Sequence, residues 1–509
     1  MAEFENRNKK NKRTAVSDVA APCIIGAFFC FLFLYFGVGQ YPDSSTYIGY
    51  NTTREPLYPL FLKACRLIAG EGHFLWAAAL LQNVIAFFSY WYLYRFVVRQ
   101  FDLSLLFRSA ALLVILAPHL FTSVFTPSGI VLTNAILSEG LTISLYPLFA
   151  TLLLEAFYRE KKGRYLAASY LTAFTLSLAR GQLMPLFLVW FLVAAAAFIR
   201  SAAGGGRQDK TRRLTYRPFG FVRSAVGGGG QEPERHAKRV CGVLLALLIA
   251  TAFGFVLRQA AMRCYHGSMT DGIVRSNTGG NVTLLTNVLY SAGEQAVTAA
   301  GEDLSERDAF YLHEIYAKMQ ERGLCASDAG SGFHARILHH EDSHDKIKFE
   351  IVGSLLGQGV QEEWGALPQG TKDGLEMPVD EDNMAGRLMK AVLPHSMGSF
   401  FWTYLYVAAG GFVRTVSLLS PVFSVYALLI YAAALALMGY LFRKPQGRAA
   451  AWFMGIVLLM TAANVCATAL TIMCLSRYMI YNMTLFYLAG LVCVFEVVRG
   501  RKKPDEIKQ

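Results

Sequence analysis

The sequence predicts an all-α polytopic membrane protein, a bundle of about ten transmembrane helices with an extracytoplasmic domain inserted after the seventh. Three observations carry that expectation. The chain is 54% hydrophobic and 13% aromatic but only 17% charged. Its apolar residues collect in runs of about 20, the length that crosses a hydrocarbon core of roughly 30 Å. Its Lys and Arg gather in the gaps between those runs.

The first run, 19–39, holds no charged residue and follows a basic segment at 7–13. It reads as a span because it is longer than a signal-peptide core and many further spans follow. Basic segments recur at 159–164, 200–239, 443–448 and 499–503. Lys and Arg near membrane ends stay on the cytoplasmic side. Placing these segments there gives spans near 19–39, 74–96, 106–126, 139–158, 164–180, 182–199, 240–258, 421–442, 449–471 and 479–498, with both termini cytoplasmic. The net charge of +12 is then a topological signal, and nucleic acid is not expected as a partner.

The chain divides accordingly into a basic N-terminus (1–18), an N-terminal membrane module (19–199), a flexible glycine-rich basic loop (200–239), one span (240–258), an extracytoplasmic domain (259–420), C-terminal spans (421–498) and a cytoplasmic tail (499–509). In 259–395 acids outnumber bases, opposite to the cytoplasmic loop. The aromatic stretch 399–414 reads as an interfacial helix, since another crossing would invert everything downstream. The segment 54–67 places Leu57, Leu60, Phe61, Ala64 and Leu67 at three- and four-residue steps, the pattern of an amphipathic helix on the membrane surface.

Motifs narrow the function further. No phosphate-binding or dinucleotide glycine pattern has the strand and helix context it needs. The nine cysteines contain no CxxC pair, and only Cys264 and Cys325 are placed for an extracytoplasmic disulfide. The segment His339-His340-Glu341-Asp342-Ser343-His344-Asp345 concentrates metal-ligand residue types, but its spacing is not that of a zinc site. It reads as a solvated polar face, with a cation site or an acceptor surface as the competing reading. His119, after Pro118, reads as a packed helix residue.

The informative residues flank the first span. Tyr41-Pro42-Asp43-Ser44-Ser45 is followed by Arg54-Glu55-Pro56-Leu57-Tyr58-Pro59-Leu60-Phe61, then by Asn134-Ala135-Ile136-Leu137-Ser138-Glu139 and, near the end, Ser476-Arg477-Tyr478. On these residues the chain resembles the GT-C superfamily of membrane glycosyltransferases, in the manner of the bacterial protein-mannosyltransferase and aminoarabinose-transferase families, best over about 19–199. That group has an acid after the first span, an Arg-Pro-Pro-x-Tyr-Pro-Leu-like pattern nearby and a second acid opening a later span. Glu55 stands where the pattern has its first proline, and Asp43 lacks an adjacent acid.

The resemblance implies a polyprenyl-phosphate-linked sugar as donor, an extracytoplasmic glycan, lipid or polymer of the cell envelope as acceptor, inversion at the anomeric carbon, and an active site outside the cell membrane. It names no certain cofactor and leaves a divalent cation open, and no residue set is assigned to a metal. Sugar transfer needs a base for the acceptor hydroxyl, a held phosphate and limited water. Asp43 is the expected base, with N-capping of a juxtamembrane helix as the competing role. Glu139 is the second catalytic acid, or else balances the dipole of its helix.

Arg54, Arg180 and Arg477 are expected to hold the donor phosphate in bidentate fashion, against the commoner role of snorkelling to head groups. Tyr58 and Tyr478 are expected to contact substrate, and membrane lipids surround the whole. Two other readings share the residues. A transporter or flippase of lipid-linked saccharide would use the charges for gating, and a glycan polymerase or ligase would move whole chains.

Overall fold

A computed structural model describes residues 2–50, 54–125, 129–204, 232–269, 279–366, 381–417 and 421–502. Among these the protein is all-helical, with no strand and one isolated parallel bridge, Gly39 to Ala135. The first part comprises α1 (Ala2–Phe36), α2 (Ser44–Ile48), α3 (Leu57–Ala69), α4 (Phe74–Phe101), α5 (Leu105–Phe125), α6 (Ser138–Tyr158), α7 (Gly163–Ala179), α8 (Leu186–Gly204) and α9 (Glu232–Met269). A cap follows: α10 (Gly280–Ser291), α11 (Glu294–Glu302), α12 (Glu306–Glu321), α13 (Phe333–Asp345), a π-helical segment Lys346–Val352, α14 (Gly353–Ala366) and α15 (Glu381–Ser417). The chain then returns to the bundle through α16 (Ser424–Arg443), α17 (Arg448–Thr471) and α18 (Ser476–Lys502).

Nine helices among the described residues are long and apolar enough to cross a membrane, which makes this a multi-pass membrane protein. The expected tenth span, 164–180, forms α7, of 17 residues. At 1.5 Å per residue it measures about 25 Å, the short end of the range for a crossing, and it runs back along α6 from the basic turn at 159–162 to Arg180 beside Glu139. It ends at Ala179, within a residue of the expected end, and the chain turns at Arg180. The span expected at 240–258 is longer than anticipated, its apolar stretch running Val240–Ser268. Gly254 seats it, because a Cβ there would meet the Phe187 ring at 2.6 Å. Of the expected loop 200–239, residues 205–231 lie outside the described residues.

Helix α6 is the axis of the bundle, with 83% of its spanning window buried against 17% for α9 and for α16. It packs on α4, α7, α8 and α18. The Tyr146 hydroxyl donates to Asn482 Oδ1 at 2.7 Å and to the Met460 carbonyl at 3.2 Å, tying α6 to α17 and α18. In hydrocarbon an unsatisfied polar group costs several kcal/mol, so such bonds fix which helices are neighbours. His119 is packed as expected, its ring edge-on to Phe29 and Tyr90 at 5.1 and 4.7 Å.

The cap has its own apolar core, built from residues such as Leu285, Leu289, Ile315, Met319, Ile347 and Leu388. Ser305 caps α12 by accepting from the Asp308 amide at 3.2 Å. Residues 399–414 are the second half of α15, a helix of 37 residues. Met397, Phe401, Trp402 and Leu405 on it are exposed, as on an interfacial helix, whereas Val407, Gly410, Val413 and Arg414 are buried against the bundle and cap. Close approach at this crossing needs glycine. A Cβ on Gly411 would meet Cys474 Sγ and Val465 at 2.9 Å, and one on Gly410 would meet Ile337 at 3.0 Å.

Two sequence expectations about this half of the chain fail. Cys264 and Cys325 are both free, one exposed and one buried. The His339–Asp345 segment is largely not solvated, because α13 turns it inward. His340 and His344 are buried, His339 bridges the Tyr290 hydroxyl and the Gly323 carbonyl at 3.0 Å each, and Glu341 pairs with the buried Arg414.

Candidate functional site

The short segment after α1 is locked to the segment before α6. The Gly39 amide donates to the Asn134 carbonyl at 3.0 Å, and the Ile136 amide to the Gly39 carbonyl at 2.8 Å. Asn134 Nδ2 donates back to the carbonyls of Leu32 and Gly37 at 2.7 and 2.8 Å. Gly37 has φ +61°, a value side-chain-bearing residues rarely adopt, and so turns the chain out of α1. Behind this junction the Tyr58 hydroxyl donates to Gln82 Oε1 at 2.8 Å, and Gln82 Nε2 donates to the Thr133 and Ala135 carbonyls at 3.0 and 3.1 Å. A Cβ on Gly140 would meet Gln82 at 2.6 Å, so that position also needs glycine. Tyr58 is 0% exposed, which places it behind the site as a brace and not among groups a substrate reaches.

This junction brings Asp43 and Glu139 to one end of the bundle, where three arginines from remote segments meet them. Arg54 Nη2 donates to Asp43 Oδ1 at 2.9 Å, and Arg477 Nη2 lies 3.4 Å from Asp43 Oδ2. Arg477 Nε lies 3.6 Å from Glu139 Oε1, and Arg180 Nη1 sits 2.7 Å from Glu139 Oε2. Arg477 therefore bridges the two carboxylates. Tyr478 separates the arginines, with Arg180 and Arg477 over its ring at 4.4 and 4.9 Å and Arg477 Nη2 donating to its hydroxyl at 2.7 Å. Three guanidinium groups here face two carboxylates.

Access differs sharply within it. The Asp43 side chain is 39% exposed and that of Glu139 3%. The competing role for Asp43, capping a helix, does not appear in this geometry, for it stands at the N-cap of α2 with no side-chain cap hydrogen bond. Arg54 is positioned by a second bond, Nε to Thr46 Oγ1 at 2.8 Å, and lies 4.6 Å over the Tyr47 ring. Burial opposes its charge, but Tyr47 and Asp43 beside it hold its pKa above the ordinary arginine value. Burial, aided by the Glu139 charge, pushes Tyr47 up to about 12, which keeps its hydroxyl protonated against Ser138 Oγ at 3.0 Å.

Several participants carried no sequence signal of their own. Ser138 is a hub, touching Tyr47, Glu139 Oε2 at 3.2 Å and Arg180 Nη1 at 3.5 Å. Glu55, the departure from the proline pattern, accepts from the Gly181 amide at 2.7 Å and so fixes the turn that bears Arg180. From α9, His266 Nε2 meets the Arg54 carbonyl at 3.2 Å. From the cap, Lys348 lies in electrostatic range of Asp43, Arg54 and Glu55, and burial lowers its pKa. An acid directly after Arg54 was the one clue to Glu55. The π-helical turn that aims Lys348 at the rim has no pattern of its own.

Among the described residues no group of His, Cys, Asp and Glu could hold a metal ion. The rim gathers three arginines around one accessible carboxylate and one buried one. No protein-family model, curated protein or solved structure matches the chain.

Proposed function

We propose that the protein is a GT-C-type membrane glycosyltransferase that moves a sugar from a polyprenyl-phosphate-linked donor to an extracytoplasmic envelope acceptor. The observation that carries this reading is the convergence of Arg54 and Arg477 on the accessible Asp43, over a floor of Glu139 and Arg180. The donor phosphate competes with Asp43 for the N–H groups of Arg54 and Arg477, as charge-assisted pairs with phosphate do. That exchange frees the carboxylate. Asp43 then takes the proton of the acceptor hydroxyl as its oxygen bonds to the anomeric carbon, and the bond from that carbon to the phosphate oxygen breaks. The electron pair leaves on the polyprenyl phosphate, whose charge the arginines stabilise.

Glu139 takes a different part from Asp43. Buried against Arg180 and Arg477, it orients the guanidinium groups and does not meet the acceptor. The end of the bundle bearing the rim faces outward in this reading, in accord with the basic segments at the other end. The test is transfer or hydrolysis of radiolabelled polyprenyl-phosphate sugars by purified protein, with envelope extract as acceptor. Wild-type turnover that collapses in Asp43→Asn, with folding unchanged, supports the reading. Equal turnover in both, or none with any donor, refutes it.

A further inference from the structure

The cap carries a groove that the proposed chemistry leaves unused. It lies between α13, α15 and the end of α10 and encloses about 530 Å³, within the range of about 300–1,000 Å³ usual for small-molecule sites. Its floor includes Ile337, Val407 and His340. His340 is fixed by Asn287 Oδ1 at 3.3 Å and by the Tyr290 ring, edge-on at 4.8 Å.

Three features state what the groove fits. Trp402, 63% exposed, and Tyr406 supply ring faces, which stack well on the C–H face of a sugar ring. Ser327, Ser399 and Thr403 add hydroxyls, each able to donate and accept. Arg336 lies 5.0 Å over the Tyr406 ring and, among the described residues, has no carboxylate at ion-pair distance. Its fork suits a carboxylate or phosphate.

The groove is also placed for the reaction. Met397, Phe401 and Leu405 form an exposed apolar stripe at four-residue steps on α15 beside it, the pattern of a helix lying at a membrane surface. Helix α13 runs from the groove to the rim. Arg336 and Asp345 are nine residues apart on it, about 13 Å along its axis, and Asp345 lies in electrostatic range of Arg477.

We propose that this groove holds the acceptor, a saccharide bearing a carboxylate or phosphate, with a ring stacked on Trp402, the anion on Arg336 and the growing end led along α13 to Asp43. The acceptor role rests on the transferase reading, whereas binding in the groove does not. The test titrates the full-length protein in detergent with a uronate tetrasaccharide, a phosphorylated tetrasaccharide and a carboxyl-reduced neutral one, following binding by calorimetry.

At least one anionic sugar binds more tightly than the neutral one. Arg336→Gln weakens it at least tenfold and abolishes the preference, and Trp402→Ala weakens charged and neutral forms alike. Both side chains are exposed, so unchanged thermal melts verify that the variants fold. Binding of neither anionic sugar, or affinities unmoved by both variants, overturns the proposal. So does loss of binding to phosphatidylglycerol nanodiscs in these variants without saccharide binding, which makes the groove a lipid headgroup site. Groove binding with no wild-type turnover of any donor refutes the transferase reading alone.

Discussion

Asp43 and Glu139 share an arginine yet occupy opposite electrostatic settings. The mouth of the rim holds a carboxylate open to solvent between Arg54 and Arg477, while the floor holds one sealed against Arg180. An exposed ion pair contributes at most about 1 kcal/mol to stability, because solvent screens it. A sealed pair contributes little relative to an apolar one but leaves a costly orphan when broken. In the proposed reaction the exposed acid takes the acceptor proton and the sealed one fixes the frame.

The largest expected effect sharpens that division at the mouth. Asp43→Asn lowers transfer by about 10²–10⁴-fold and moves the unfolding midpoint little, measured by donor turnover and thermal melts of the same preparation. At the floor the order reverses. Glu139→Gln leaves Arg180 without its carboxylate and destabilises the protein by about 3–5 kcal/mol, read as a lowered melting temperature in detergent. The double variant Glu139→Gln, Arg180→Leu regains much of that stability while remaining inactive.

A smaller effect is expected at the turn that bears Arg180. Glu55→Ala removes the acceptor of the Gly181 amide, costing about 1–3 kcal/mol, and raises the donor KM more than it lowers kcat because Arg180 loses its setting.

The last effect lies in the cap and appears only as pH falls below neutrality. Burial, with the charges of His344 and His339, lowers the pKa of His340 to about 3. Above pH 6.5 the imidazole is neutral in folded and unfolded chains alike, and pH leaves stability unchanged through this group. As pH falls from 6.5 toward 3 the unfolded chain gains a proton that folded His340 does not, so cap stability declines across that window. Hydrogen exchange of α10 and α13 amides reads the decline, and His340→Gln flattens it.

The sequence made the membrane part of the fold legible, because a hydrocarbon slab imposes a length and a composition on every span. Where it misled, a local feature overrode the pattern. Helix α15 runs on from cap to bundle, so that one side of the stretch expected at the interface is buried against protein. All five charged residues expected at the rim do meet there. Their pairings were not readable, since Glu139 and Arg180 are joined only by folding. Tyr58 reads from its motif as a substrate contact but is an interior brace, a distinction that burial makes and a pattern does not. Lys348 escaped notice because its aim depends on one widened helical turn far along the chain.

The bridge between Gly39 and Ala135, with Asn134 reaching back to the end of α1, has a consequence for the lipid environment. Bilayers of different thickness tilt individual spans, and helices joined by side chains alone would shear past one another. Here main-chain hydrogen bonds weld the segment bearing Asp43 to the helix bearing Glu139, so the two acids keep their spacing as the surrounding helices lean. Turnover in thin and thick nanodiscs should then differ through KM for the lipid donor, with kcat held nearly constant.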